Sequence, residues 1–73
     1  QMTLVFTSVT YAIKAQRLLA ARYIHTALTR SAAVTALRGC GYGLRLSDDS
    51  RLAEAVELLK SNGVSIVGTV KEP

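Results

Sequence analysis

Between Ser47 and Gly63 the chain carries Ser-Asp-Asp at one end, Asn-Gly at the other, and Leu52, Ala55, Val56 and Leu59 at spacings i, i+3, i+4 and i+7. Those spacings place four apolar side chains on one stripe of an α-helix. The hydroxyl and carboxylates at the start suit the orphan amides and positive end of a helix N-terminus, and Asn-Gly suits the left-handed turn that ends one. Arg51, Glu54, Glu57 and Lys60 fall toward water. A short, one-sided helix is marginal alone, so the rest of the chain must supply a layer on which it packs.

The flanking segments have the other periodicity. Val64, Ile66, Gly68 and Val70 alternate with Ser65, Val67 and Thr69 after the helix, and Cys40, Tyr42, Leu44 and Leu46 alternate with Gly41, Gly43 and Arg45 before it. Period two is the mark of a strand with one buried face. Nearer the N-terminus, Leu4-Val5-Phe6-Thr7 is a β-prone run, and Ser8-Val9-Thr10 offers hydroxyls that cap a helix. Tyr11 to Tyr23 then lacks Gly and Pro and sets Ala12, Ala15, Leu19 and Arg22 at helical spacing. His25 to Arg30 reads as an edge strand, and residues 31 to 38 as a connection. The predicted order is βαββαβ. Two split βαβ units with right-handed crossovers imply an α+β ferredoxin-like plait: a four-stranded antiparallel sheet, order 4-1-3-2, with both helices on one face. Residues 1–73 are expected to form that one domain.

Composition narrows the class further. The only aromatic residues are Phe6, Tyr11, Tyr23 and Tyr42, so the core has to be built from Ala, Val, Leu and Ile. One cysteine forms no internal disulfide, and no Cys/His spacing suggests a metal or a cofactor. No apolar run approaches the roughly 20 residues of a membrane span, and no basic-then-apolar leader opens the chain. A soluble, cytoplasmic setting is the expectation. The net charge of +4 is uneven: all five acids come after Leu46, and Arg17, Arg22, Arg30, Arg38 and Arg45 precede them. Such a positive portion can attract anions or acidic partners, or be only a solvated surface.

Chemistry points to Cys40, inside Arg38-Gly39-Cys40-Gly41-Tyr42-Gly43-Leu44. In the plait, strand 1 ends, strand 2 ends and strand 3 begins at one edge of the sheet, beside the start of helix 1. A helix N-terminus with Arg30 and Arg38 nearby favours thiolate over thiol. Gly39, Gly41 and Gly43 leave no side chains beside the sulfur. The alternation of Cys40 with Leu44 and Leu46 favours a different reading, a small buried hydrophobe facing the helices. His25 falls at the far end of strand 2, too distant to pair with Cys40. Asp48 and Asp49 read as helix caps, and no Ser/His/Asp set, phosphate loop or carboxylate pair supports hydrolase or kinase chemistry.

The Leu4-Val5-Phe6-Thr7-Ser8 strand, the helix after it, the central Cys40-Gly41-Tyr42-Gly43-Leu44 and the closing helix-Asn62-Gly63-Val64 strand resemble the selenium/sulfur carrier protein-like family over nearly the whole chain. The resemblance implies that Cys40 holds sulfur or selenium as a persulfide or perselenide, taken from a donor protein and passed to an acceptor. RNA recognition motifs share the βαββαβ order, and Arg38-Gly39-Cys40-Gly41-Tyr42 matches their strand-3 run except at its first aromatic. Without that ring, and with Val5 where strand 1 should carry another, nucleic acid is not the expected partner. A third reading is an interaction module. Val5, Ala27, Val67 and Thr69 would form an uncharged sheet face on which a second copy packs to give a homodimer.

Overall fold

A computed structural model describes residues 1–30 and 41–71 of the chain. The described elements are β1 (Met2–Phe6), α1 (Val9–Ala20), β2 (Thr26–Thr29), β3 (Gly43–Leu46), a 3₁₀ turn (Asp49–Arg51) leading into α2 (Leu52–Ser61), and β4 (Ile66–Lys71). The strands form one antiparallel sheet in the order β2-β3-β1-β4. This is the predicted strand order counted from the opposite edge, and the fold is the α+β ferredoxin-like plait.

One face of the sheet holds the core. Leu4 opposes Leu44 across the β1–β3 ladder. These two, with Phe6 and Leu46, pack against Ala12, Ala15 and Leu19 of α1 and Ala55 and Leu59 of α2. Both helices therefore cover the same face. All nine side chains are fully buried, and each large one stabilises the fold by ~1.5–3 kcal/mol. Alanine at three of the five helix positions lets the helix backbones approach the sheet closely, which is how a core with a single phenylalanine is filled.

The helix ends follow the sequence signals, with one exception. Ser8 caps α1, its Oγ accepting from the Tyr11 amide at 3.2 Å. The helix thus begins two residues before the predicted start, because Ser8 and not Thr10 takes the orphan amide. Both helices then end in one motif. Tyr23 N donates to Ala20 O and Ile24 N to Leu19 O; Gly63 N donates to Lys60 O and Val64 N to Leu59 O. This double bond pattern closes a helix through a left-handed residue followed by a buried apolar one. Gly63 has φ +72°, and at the other end a tyrosine does the glycine's work, with φ +60° at Tyr23. Arg22, expected on the buried stripe of α1, lies exposed in this turn.

Arg51 also departs from expectation. It does not simply face water: Nη1 donates to Tyr23 O at 2.9 Å and Nη2 to Arg22 O at 3.2 Å. The same guanidinium donates to both carboxylate oxygens of Glu54, at 3.1 and 2.9 Å. A planar fork with several donors suits this position, where carbonyls left over from α1 meet the first turn of α2.

Strand limits shift as well. β3 begins at Gly43, because Gly41 has φ +83° and breaks the extended run predicted from Cys40. β4 begins at Ile66, since Val64 is taken by the helix-ending motif. The uncharged sheet face loses two of its predicted members. Val5, in an interior strand, is fully buried, and Thr69 pairs with Leu4, which puts it on the helix side.

Candidate functional site

The β2–β3 ladder sets Thr29 opposite Gly43, and the β1–β3 ladder sets Val5 opposite that same glycine. One rung further along, Arg30 follows Thr29 and Tyr42 precedes Gly43. The side chains meet there: the Arg30 guanidinium carbon lies 5.4 Å from the centre of the Tyr42 ring. A cation over a phenol face is worth ~0.5–1 kcal/mol at an exposed site, and it fixes where the long arginine points. Gly41 then turns the chain through a conformation that L side chains rarely adopt. β1 leaves the sheet at this edge, and Ser8 opens α1 two residues after Phe6. The edge thus combines an oriented guanidinium, a glycine turn and the positive end of a helix. All three favour an anion, a thiolate included.

Of the six predicted site residues, Arg30, Gly41 and Gly43 come together at this edge. Cys40, Gly39 and Arg38 lie outside the described residues. The sequence presents Tyr42 as a member of the alternating strand face and as a stacking platform, and the structure gives it another part, as the seat of Arg30. The signal was present in the pairing arithmetic: residues 30 and 42 are the next rung after 29 and 43. Among the described residues, Arg30 lies over the Tyr42 ring and Val5 is fully buried.

The other titratable candidates are engaged elsewhere. His25 is exposed, and its carbonyl accepts from the Ser47 amide at 3.1 Å, at the opposite end of the β2–β3 ladder. Asp48 Oδ1 accepts from the Ser50 amide at 3.0 Å and the Ser50 hydroxyl at 2.7 Å. The hydroxyl bond, reinforced by the amide, holds its carboxyl below the usual range. Asp49 Oδ1 accepts from the Met2 amide at 2.8 Å. Both aspartates are occupied in structural bonds. Among the described residues no group of His, Cys, Asp and Glu is disposed to hold a metal ion. None of the described helices is long and apolar enough to cross a membrane.

The model of a family described as "Putative Se/S carrier protein-like" covers residues 1–71. No curated protein and no solved structure matches the chain.

Proposed function

The chain belongs to this Se/S carrier protein-like family, and from that premise we propose that Cys40 is the atom-bearing group of a carrier for sulfane sulfur or selenium. The Cys40 thiolate attacks the outer sulfur of a donor persulfide, R–S–SH. The bond between that sulfur and R–S breaks, a Cys40–S–SH persulfide forms, and R–S⁻ leaves as thiolate. One S–S bond replaces another, so no oxidant or reductant is needed. An acceptor nucleophile then takes the outer sulfur and regenerates the Cys40 thiolate. Selenium follows the same exchange.

The observation that carries this reading is Arg30, whose guanidinium is seated on the Tyr42 ring beside Gly41, the residue that follows Cys40 in sequence. A fixed cation at that place lowers a thiol's pKa from about 8.5 and stabilises both the thiolate and a persulfide anion. Arg38 is a second cation close by in sequence, and the glycines at 39, 41 and 43 carry no side chain on either side of Cys40 along the chain. The chain holds no second cysteine, which suits a carrier that delivers its cargo instead of resolving it internally. Its partners are then a donor protein and an acceptor protein of the cytoplasm.

The test is loading. The protein is incubated with a cysteine desulfurase and free cysteine and weighed intact. The expected result is one added sulfur that Cys40→Ser abolishes and that dithiothreitol removes. A folded wild-type protein that gains no adduct would refute the carrier reading.

A further inference from the structure

The edge strand β2 carries an open set of backbone groups whose geometry fits its own copy. Ser47 donates to the His25 carbonyl, so His25 and Ser47 form a hydrogen-bonded pair at one end of the β2–β3 ladder. Antiparallel ladders alternate, so Ala27 and Thr29 also turn their N–H and C=O toward β3, while Thr26 and Leu28 turn theirs away from the sheet. Among the described residues, β2 is the last strand on its side. A long contact at 3.4 Å from Gln16 Nε2 reaches the Thr26 carbonyl. Leu28 is also one of the exposed large apolar side chains, at 42 %.

Edge strands are normally protected by an inward charge, a proline or a bulge. Thr26-Ala27-Leu28-Thr29 has none of the first two, and the register shift in the sheet lies at the other edge, between β1 and β4. We infer that β2 pairs with β2 of a second copy about a two-fold axis through Leu28, joining two four-stranded sheets into one of eight strands. The parity allows it. With the axis at Leu28, Leu28 meets Leu28 of the copy and Thr26 meets Arg30, so every outward-facing residue meets another outward-facing residue. Charge allows it too, because the only charged residue in this register lies opposite a threonine. An axis between Ala27 and Leu28 would instead oppose an outward residue to an inward one and set His25 against Arg30. The two Leu28 side chains then cover one another on the helix side of the joined sheet. This pairing is independent of the carrier reading, and it replaces the face-to-face dimer that the burial of Val5 rules against.

The experiment is sedimentation equilibrium from about 10 μM to about 1 mM, the range where a short-edge association becomes populated. The wild type is expected to pass from monomer to dimer across it. Leu28→Pro removes the amide at the axis, which this pairing uses and β3 does not, so it should stay monomeric and keep its far-ultraviolet spectrum. Leu28→Lys, which sets two ammonium groups face to face, should also stay monomeric and keeps the test valid if the proline variant fails to fold. A wild type that is monomeric up to 1 mM, leaving the edge to another chain or to solvent, overturns the inference. So does a dimer that persists undiminished in a folded Leu28 variant.

Discussion

Tyr23 stands where a glycine belongs. It occupies the left-handed position that ends α1, φ +60°, with the same two hydrogen bonds that Gly63 and Val64 make at the end of α2. An L side chain in that region costs about 1–2 kcal/mol through the clash of its Cβ with the following carbonyl. Tyr23→Gly removes this cost and adds about 0.5–1 kcal/mol of chain entropy to be lost on folding. Little packing is given up, because Tyr23 is 80 % exposed, and the carbonyl that accepts from Arg51 belongs to the backbone and stays. The difference is a gain of ~0.5–1 kcal/mol, or about 2–8 °C in Tm for a chain of 73 residues. Gly63→Ala is the mirror experiment. A Cβ at Gly63 meets nothing within 4 Å, so its effect is conformational alone, and a loss of ~0.5–1 kcal/mol is expected. Urea titrations followed by circular dichroism, with equal m-values, measure both. If Tyr23→Gly destabilises by more than about 0.5 kcal/mol while Gly63→Ala behaves as stated, the strain argument fails at Tyr23.

Acid stability should depend on the two carboxylates at the start of α2. Asp48 is held low chiefly by the Ser50 hydroxyl and Glu54 chiefly by its hydrogen bonds from Arg51. Groups depressed in this way stabilise the fold above their unfolded values of about 4, and that contribution is lost as pH falls through their folded values. Combining Asp48→Asn with Glu54→Gln should therefore lower Tm at neutral pH and flatten its decline below about pH 5; an unchanged slope refutes the assignment. At the candidate site, Tyr42→Leu frees Arg30 without touching its charge. Alkylation of Cys40 at pH 7 should slow several-fold, with the apparent pKa moving toward about 8.5. A pH profile superimposable on that of the wild type would show that the ring does not position the cation.

The plait was legible because hydrophobic period carries it: Leu52, Ala55 and Leu59 against Leu44 and Leu46 give helix and strand at once. What escaped was conformational. Nothing in the letters of Tyr23 announces a left-handed residue: the run without Gly or Pro extends to it, yet α1 ends at Ala20. Val64 alternates with Ile66 like a strand residue, yet it is the apolar plug of the α2 terminus. Arg51 lies on the wet side by helical phase, and only the third dimension brings the carbonyls of Arg22 and Tyr23 within its reach. At the candidate site the topology legible in the sequence already brings residue 30 and the start of strand 3 to one sheet edge. The contact between Arg30 and Tyr42 is not legible there, because a rung is visible only once the register is known.

Register and phase also bear on the strongest objection to Cys40 as a reactive group. The objection runs through alternation: if Leu44 and Leu46 face the helices, then Tyr42 and Cys40 should as well, and the sulfur would be a core atom. Phase is transmitted only along continuous extended backbone. Here β3 begins at Gly43, and Gly41 at φ +83° lies between the strand and the cysteine. Tyr42, just outside β3, is half-buried against Arg30, whereas Leu44 is sealed in the core. The inference from Leu44 to Cys40 therefore stops at Gly41, and the argument for a buried sulfur stops with it. Gly41→Ala tests the same turn from the other side. It adds one methyl at a left-handed position, costing about 1 kcal/mol. If the turn sets the environment of the thiol, this variant should also shift the pH profile of Cys40 alkylation; Gly63→Ala, equally strained and at the end of α2, should leave that profile where it was.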